Sequence, residues 1–227
     1  MCGRYVLAKS LAEIAAYFGA NSRQEGGDAP LWDWAPNYNI APAAVVPVIA
    51  FDGRKQRKIV PMRWGLHPHW KKEPPEGRPL FNARVETAAE KASFRTPFRR
   101  RRALFPVSGW YEWEGVEKPK TPYLIYEDDT EIFALAGLWD QWRVDEGITL
   151  LTATILTTPA QGEVKHLHHR MPVRLGPSDW DSWLDWDGNP DKILERKLGG
   201  EDLDFHTVDR AVNSGRASGV ELIEPAN

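Results

Sequence analysis

The N-terminal residues Met1 to Tyr5 carry the most reactive group of this 227-residue sequence. Cys2 is its single cysteine, and removal of the initiator methionine would make it the first residue. Its α-amine and thiol would then share one carbon skeleton, with ordinary pKa values of about 8 and about 8.5. An aldehyde meeting this 1,2-aminothiol can form an imine with the amine, and the thiol can then close on the imine carbon to give a thiazolidine. An ester or amide would instead meet a sulfur nucleophile with a built-in base.

The alternative interpretation of Cys2 is purely structural. Free cysteine is among the most frequently buried residue types, so Cys2 could be a small core residue. Its place at position 2, before the flexible Gly3 and the cationic Arg4, favours the reactive interpretation, since nearby positive charge promotes the thiolate.

A candidate proton shuttle lies in the run Gly-Trp-Tyr-Glu-Trp-Glu at 109–114. Strand alternation puts Trp110, Glu112 and Glu114 on one face, while aromatic residues occupy the other. A carboxylate among aromatic side chains has a raised pKa, which suits proton transfer near neutral pH. The alternative for Glu112 is an edge glutamate in solvent or in an ion pair with arginine.

Three histidines, His166, His168 and His169, cluster just before Arg170. No cysteine accompanies them and no His-Glu-x-x-His motif is present, so the pattern disfavours a zinc site. We expect no metal and no cofactor. One of the histidines suits general acid or base catalysis, and the other two are expected at the surface.

Polar and basic residues elsewhere suggest contacts with a nucleic acid. Asn82 and Arg84 could supply an amide hydrogen bond and a phosphate contact, although a helix N-cap with a solvated neighbour is the alternative. The arginines at 99–102 could neutralise phosphates, but a charge run also occurs as a solvated face. Basic residues next to Trp64 and Trp70 add a means of stacking on single-stranded bases.

The elements that must position these residues are mainly strands. Ser10 and Glu13 form a capping box for a helix that Gly19 ends, and the polar stretch 21–33 reads as a loop. Asp-Gly at 52–53 predicts a hairpin between strands near 45–49 and 58–62. Further strands are expected at 2–7, 103–107, 109–114, 123–126, 132–138, 148–158, 170–173 and 205–208, and helices are expected near 81–94, 159–167, 178–184 and 190–199.

Composition narrows the class of protein. The hydrophobic content of 42% can fill a core, and we expect one domain spanning 1–227. The net charge of −3 means that any nucleic-acid site must be a local basic patch. A single cysteine excludes a disulfide framework, and no apolar run of 18 residues or secretory signal is present. We therefore expect a soluble cytoplasmic protein that does not contact membranes.

Taken together, these stretches resemble the SOS response-associated peptidase (SRAP) family, whose eukaryotic relatives shield abasic sites in DNA. The matching motifs run in family order over most of the chain. They are Met-Cys-Gly-Arg-Tyr at 1–5, the segment 38–42, Trp-Gly-Leu at 64–66, Asn-Ala-Arg-Val-Glu-Thr at 82–87, Gly-Trp-Tyr-Glu-Trp at 109–113, Ala-Gly-Leu-Trp at 136–139, and His-His-Arg-Met-Pro at 168–172.

The resemblance implies a fold, a site and a substrate. The fold is α+β, with an antiparallel, barrel-like β core and helices outside it. The implied catalytic residues are Cys2, Asn82, Glu112 and His168. The implied DNA-binding residues are Arg4, Arg84 and Arg170 on phosphates, with Pro42 and Trp70 near stacked bases.

Our interpretation is a protein that binds abasic sites in single-stranded DNA and cross-links to the ring-opened sugar through Cys2, with lyase-like chemistry and an autoprocessing cysteine peptidase activity. We expect it to be a monomer that associates with the nucleoid when bound to DNA. One alternative is an N-terminal-nucleophile cysteine amidohydrolase or peptidase with a substrate other than DNA. A second alternative is a non-catalytic DNA-binding module that uses the arginines at 99–102.

Overall fold

The computed structural model describes residues 2–22, 32–115, 119–145 and 147–226. Most of the predicted loop at 21–33 therefore lies outside the described residues, as does Met1. The described residues form thirteen strands. In chain order these are β1 (Tyr5–Leu7), β2 (Asn37–Ile40), β3 (Val45–Phe51), β4 (Arg57–Trp64), β5 (Asn82–Arg84), β6 (Arg102–Val107), β7 (Gly109–Glu114), β8 (Thr121–Glu127), β9 (Phe133–Asp145), β10 (Ile148–Pro159), β11 (Arg170–Pro172), β12 (Arg174–Leu175) and β13 (Leu203–Thr207).

Five of these strands close into a small barrel, in the order β4, β3, β6, β9 and β10. The predicted β3–β4 hairpin and the β-rich runs in the middle of the chain are confirmed. One pair of neighbouring barrel strands departs from the expected antiparallel arrangement. β10 runs parallel to β4, and Thr152 pairs with Arg63. A closed ring with an odd number of strands cannot alternate direction all the way round, so one neighbouring pair has to be parallel.

A second sheet, in the order β13, β8, β7, β1 and β2, packs beside the barrel and is antiparallel throughout. Successive residues of its strands face opposite sides, and both sides are buried. Tyr5 and Trp110 join the main hydrophobic core with the barrel residues. Val6 and Tyr111 join a smaller core beneath the C-terminal segment. The strands that carry the candidate site are thus held from both faces.

The α-helices are short and lie outside the sheets: α1 (Leu11–Phe18), α2 (Val85–Ala88), α3 (Arg95–Arg100), α4 (Trp180–Leu184) and α5 (Pro190–Leu194). Four 3₁₀-helices cover Glu163–His166, Pro177–Asp179, Arg210–Asn213 and Val220–Ile223. The capping box of α1 is confirmed, and Gly19 ends this helix in the left-handed conformation at φ 57°. None of the helices in the described residues is long and apolar enough to cross a membrane.

Three helix predictions need correction. Residues 82–84 of the predicted 81–94 helix are strand β5, because they pair with β10, and the regular helix is confined to α2. In place of the predicted 159–167 helix, the structure has only the 3₁₀ turn Glu163–His166. β10 extends to Pro159, and Gly162 has a φ of 60°, which is incompatible with a right-handed helix across this position. The helix that begins at Pro190 ends at Leu194, short of the predicted Gly199.

Candidate active site

Cys2 lies immediately before β1, and the pairing of β1 with β7 brings it to Glu112. Tyr5 pairs with Trp110 in an antiparallel register, and the Tyr111 amide donates to the Arg4 carbonyl oxygen at 2.9 Å. The Cys2 side chain belongs to the main hydrophobic core together with Tyr5 and Trp110, and it lies close enough to Glu112 for the carboxylate to act on the thiol. The Cys2 side chain is fully buried, as the structural interpretation of this residue required.

Burial controls the titration of both groups. It raises the pKa of the Cys2 thiol well above its usual range, and the neighbouring Glu112 carboxylate raises it further. Burial also raises the pKa of Glu112 to about 7, because the side chain is only 4% exposed. At neutral pH the thiol is therefore protonated, whereas Glu112 is present in both protonation states. A carboxyl in this condition can give and take a proton within one reaction.

Asn82 holds the backbone at Cys2. Its Nδ2 donates a hydrogen bond to the Cys2 carbonyl oxygen at 2.7 Å. Asn82 begins β5, which pairs with β10 and so fixes the direction of the side chain. Its Oδ1 is buried and has no hydrogen-bond partner among the described residues. A buried unpaired acceptor is costly, so this oxygen is suited to a hydroxyl or amine that a substrate would bring.

His168 is held in a fixed orientation near the end of β10. Its Nδ1 lies 3.0 Å from the Arg170 amide nitrogen and 3.1 Å from the Arg170 carbonyl oxygen, so Arg170 can engage this nitrogen in either tautomer. The ring also stacks on His169 with centroids 4.3 Å apart. Burial lowers the pKa of His168 to about 4. The ring is therefore a neutral imidazole at physiological pH and can accept a proton.

The three arginines predicted to bind phosphate have different environments. Arg84 is exposed and has no ion-pair partner among the described residues. Arg4 lies over Trp113 at 6.0 Å and donates through Nη1 to the carbonyl oxygen of Val212 at 3.1 Å. Arg170 is buried, and its guanidinium binds both carboxylate oxygens of Glu86 at 2.6 and 2.9 Å.

Glu86 is the site residue that our interpretation of the sequence missed. It lies in the Asn-Ala-Arg-Val-Glu-Thr motif, two residues after Arg84 and four after Asn82, at the start of α2. Its bidentate contact joins α2 to β11. Arg170 lowers the pKa of Glu86, chiefly by donating hydrogen bonds to its carboxylate. The motif thus carries the partner of Arg170 as well as Asn82 and Arg84.

Pro42 and Trp70 lie on two turns that flank β3 and β4. Pro42 precedes Ala43, whose φ of 77° is unusual for a residue other than glycine. Trp70 is 53% exposed. The turn before it is anchored by the fully buried Asp140, which accepts from the His69 amide at 3.0 Å and lies 2.9 Å from the His69 ring nitrogen Nδ1. Trp70 therefore projects from a fixed turn.

The arginine run at 99–102 is only partly available to a ligand. Arg99 and Arg100 are exposed, but Arg101 pairs with the buried Asp140. Arg102 is 2% exposed and donates to several backbone carbonyl oxygens, including those of Phe98 and Arg99. The idea that all four arginines form one DNA-binding face is therefore wrong. Arg102 donates hydrogen bonds to carbonyl oxygens at helix ends, which have no partner within the helix. Its role is therefore structural, and it is not part of a solvated charged face.

The chain is similar in sequence to a known family and to several proteins. Residues 1–215 match the family described as SOS response associated peptidase (SRAP). "Abasic site processing protein YoqW" of Bacillus subtilis is 35% identical over 228 residues, covering 99% of each chain. "Abasic site processing protein HMCES" of Gallus gallus is 30% identical over 261 residues, covering 99% of this chain and 78% of the relative.

Solved structures agree on the fold. A protein from Bacteroides thetaiotaomicron superimposes with a TM-score of 0.84 at 24% identity, covering all of both chains. A protein from Bordetella bronchiseptica superimposes with a TM-score of 0.73 at 22% identity, covering 92% of this chain and all of the other. The expected α+β fold with a barrel-like core is thus confirmed, and the chain belongs to the SOS response associated peptidase family.

Proposed function

We propose that this chain captures abasic sites in single-stranded DNA by forming a covalent bond through Cys2. The observation that carries the proposal is the convergence of Cys2, Glu112 and Asn82 at the N-terminal end of β1. The names of the relatives support it, because they are called abasic site processing proteins. An abasic sugar in its open form presents an aldehyde, which is the electrophile that a 1,2-aminothiol traps most readily.

The reaction begins once Met1 has been removed. His168, as a neutral base, accepts the proton of the C1 hydroxyl and returns it to the ring oxygen as the bond between that oxygen and C1 breaks, which opens the deoxyribose ring. The Cys2 amine adds to the aldehyde carbon, and protonated Glu112 donates a proton to the hydroxyl that leaves as water, giving the protonated imine (iminium ion). The resulting Glu112 carboxylate takes the thiol proton as sulfur adds to the iminium carbon. This step regenerates protonated Glu112, so aldehyde and aminothiol become thiazolidine and water without any redox change.

This role for Glu112 agrees with the pKa values of the two groups. The thiol pKa is too high for a preformed thiolate, so sulfur needs a base at the moment it attacks. Glu112, with a pKa of about 7, can serve as acid in one step and as base in the next. Asn82 Oδ1 would accept a hydrogen bond from the amine or from a sugar hydroxyl.

DNA binding would rest on a local basic surface, since the whole chain is acidic. Arg84 is the most accessible of the three candidates for a phosphate contact, and the half-buried Arg4 on Trp113 is the second. We propose that Arg170 contributes by sharing its guanidinium between Glu86 and a phosphate. Pro42 and Trp70 would contact the bases next to the lesion.

The family description names a peptidase, and the same residues could supply that activity. A Cys2 sulfur attacking an acyl carbon, with Glu112 and His168 moving protons, would hydrolyse a peptide bond. We propose that this activity acts on the peptide bond between Met1 and Cys2 and so exposes the Cys2 amine.

A denaturing gel shift tests the proposal. The protein is incubated with an oligonucleotide carrying one abasic site, or with the intact oligonucleotide, and is then boiled in SDS. We expect a retarded band only with abasic DNA. A shift that boiling abolishes would indicate a non-covalent DNA-binding module. Hydrolysis of amides without any DNA adduct would favour an N-terminal-nucleophile hydrolase.

A further inference from the structure

A groove lies along the segment 78–82, which ends at Asn82 of the candidate active site. It has a volume of about 320 Å³ and is lined by Arg78, Pro79, Leu80, Phe81 and Asn82. This volume is at the lower end of the range for small-ligand sites. Arg78 and Asn82 are four residues apart and so lie at most roughly 14 Å from each other. The groove is therefore large enough for one nucleotide and too short for several.

The groove combines an apolar floor with a cation. Leu80 is 38% exposed, so its apolar side chain is available to a ligand in the groove. The Arg78 guanidinium lies 5.6 Å from the centre of the Phe81 ring. Arg78 is exposed, and it has no carboxylate partner among the described residues. An apolar and aromatic surface with an unneutralised guanidinium suits a flat base joined to a phosphate.

The floor of the groove is held rigidly. The Phe81 carbonyl oxygen accepts hydrogen bonds from Trp64 Nε1 at 2.9 Å and from the Ile155 amide at 3.1 Å. The Phe81 ring meets Trp64 edge to face with centroids 5.9 Å apart. The next residue, Asn82, holds Cys2. A ligand in the groove would thus keep a fixed position relative to the Cys2 backbone.

Two exposed arginines lie on either side of Asn82 in the chain, Arg78 four residues before it and Arg84 two residues after it. Because Asn82 Nδ2 contacts the Cys2 carbonyl oxygen, a DNA strand whose abasic sugar reaches Cys2 would pass close to Asn82. We propose that the groove from Arg78 to Asn82 holds the nucleotide next to the abasic sugar, with its base on Leu80 and Phe81 and its phosphate on Arg78. This inference rests on the proposed capture of abasic DNA.

The test compares two substrates of Cys2. An abasic oligonucleotide fills the groove, whereas free 2-deoxyribose offers the same aldehyde without base or phosphate. We expect Arg78→Ala to slow capture of subsaturating oligonucleotide about tenfold, the effect of losing about 1.4 kcal/mol of binding. The slope of log rate plotted against log salt concentration should also become shallower by about one. Thiazolidine formation with 2-deoxyribose, followed by mass spectrometry, should not change. Arg54→Ala, an exposed arginine in the distant β3–β4 turn, is the matched control.

A second comparison tests the apolar floor. Replacing the base next to the lesion by a tetrahydrofuran residue, on the 5′ side or the 3′ side, should slow capture by the wild type on one side only. Leu80→Ala should reduce this difference, because the base then has less surface to contact.

The outcomes separate the two proposals. If Arg78→Ala captures the oligonucleotide at the wild-type rate, or slows the reaction of 2-deoxyribose equally, the subsite is wrong while covalent capture stands. If the wild type forms no adduct with either substrate, the proposed function fails and the subsite fails with it. Equal thermal unfolding of Arg78→Ala and wild type excludes a folding defect.

Discussion

Replacing Glu112 by glutamine should stabilise the protein while it slows the reaction. The Glu112 pKa is raised from 4.5 to about 7 by burial. The folded state therefore keeps its proton where the unfolded chain has already released it. The stability due to the protonated side chain is fully present below pH 4.5 and is lost as the pH rises through 7. At 1.36 kcal/mol per pKa unit the loss is about 3 kcal/mol. Glutamine is neutral throughout and avoids it.

Urea denaturation of wild type and Glu112→Gln at pH 4.5 and pH 7.5 measures this effect. Other titrating groups are common to both proteins and cancel in the difference. We expect the stability difference to shift toward the variant by about 3 kcal/mol between the two pH values. Glu114→Gln, at an exposed glutamate on the same strand, is the matched control for removing a carboxylate outside the core. A pH-independent difference for Glu112→Gln would show that the carboxyl is not perturbed by burial.

The same variant separates chemistry from binding. General acid and base groups contribute about 10²- to 10⁴-fold to rates, so Glu112→Gln should slow adduct formation by that factor. Its affinity for DNA carrying an unreactive abasic analogue should not change, because glutamine keeps the shape of the side chain. Equal losses of rate and affinity would mark Glu112 as a structural residue and refute the proton-transfer role.

Arg84→Ala should weaken capture of abasic DNA and make the slope of log rate against log salt shallower by about one, the effect of losing one phosphate contact. An unchanged rate at moderate salt would contradict the proposal that Arg84 binds a phosphate. His168→Ala should slow adduct formation with little effect on binding, and the exposed His166 gives a better control than His169, which stacks on the His168 ring. Arg102→Ala should lower the free energy of unfolding by about 1–3 kcal/mol in urea denaturation, because it leaves buried carbonyl groups without a donor. Cys2→Ala should still give an imine with abasic DNA that borohydride traps, and an SDS-stable adduct without reduction would contradict thiol closure.

Local patterns predicted much of the fold. The capping box at Ser10 and the Asp-Gly turn at 52–53 act within a few residues, and both are present in the structure. The parallel seam between β4 and β10 was not predictable in this way, because it follows from closing five strands into a ring. Residues 82–84 likewise are strand because β10 is available to pair with them, and no local pattern shows that.

The candidate site was likewise predictable only where local sequence determines it. Position in the chain indicated Cys2, and the aromatic neighbours of Glu112 indicated a raised pKa, which the structure gives as about 7. The neutral state of His168 was not predictable, since it depends on how deeply the ring is buried. The pairing of Arg170 with Glu86 was missed because the two residues are 84 positions apart and meet only when β11 and α2 pack at the end of β10.

Intact-mass spectrometry after incubation with an abasic oligonucleotide tests the central claim most directly. We expect a single adduct on the species that begins at Cys2, with the mass of protein plus DNA less one water. The adduct should survive SDS and heat without reduction. An adduct on a species that still carries Met1 would contradict the aminothiol mechanism, since the Cys2 nitrogen would then be an amide. The absence of any adduct on the Cys2 species would contradict covalent capture itself.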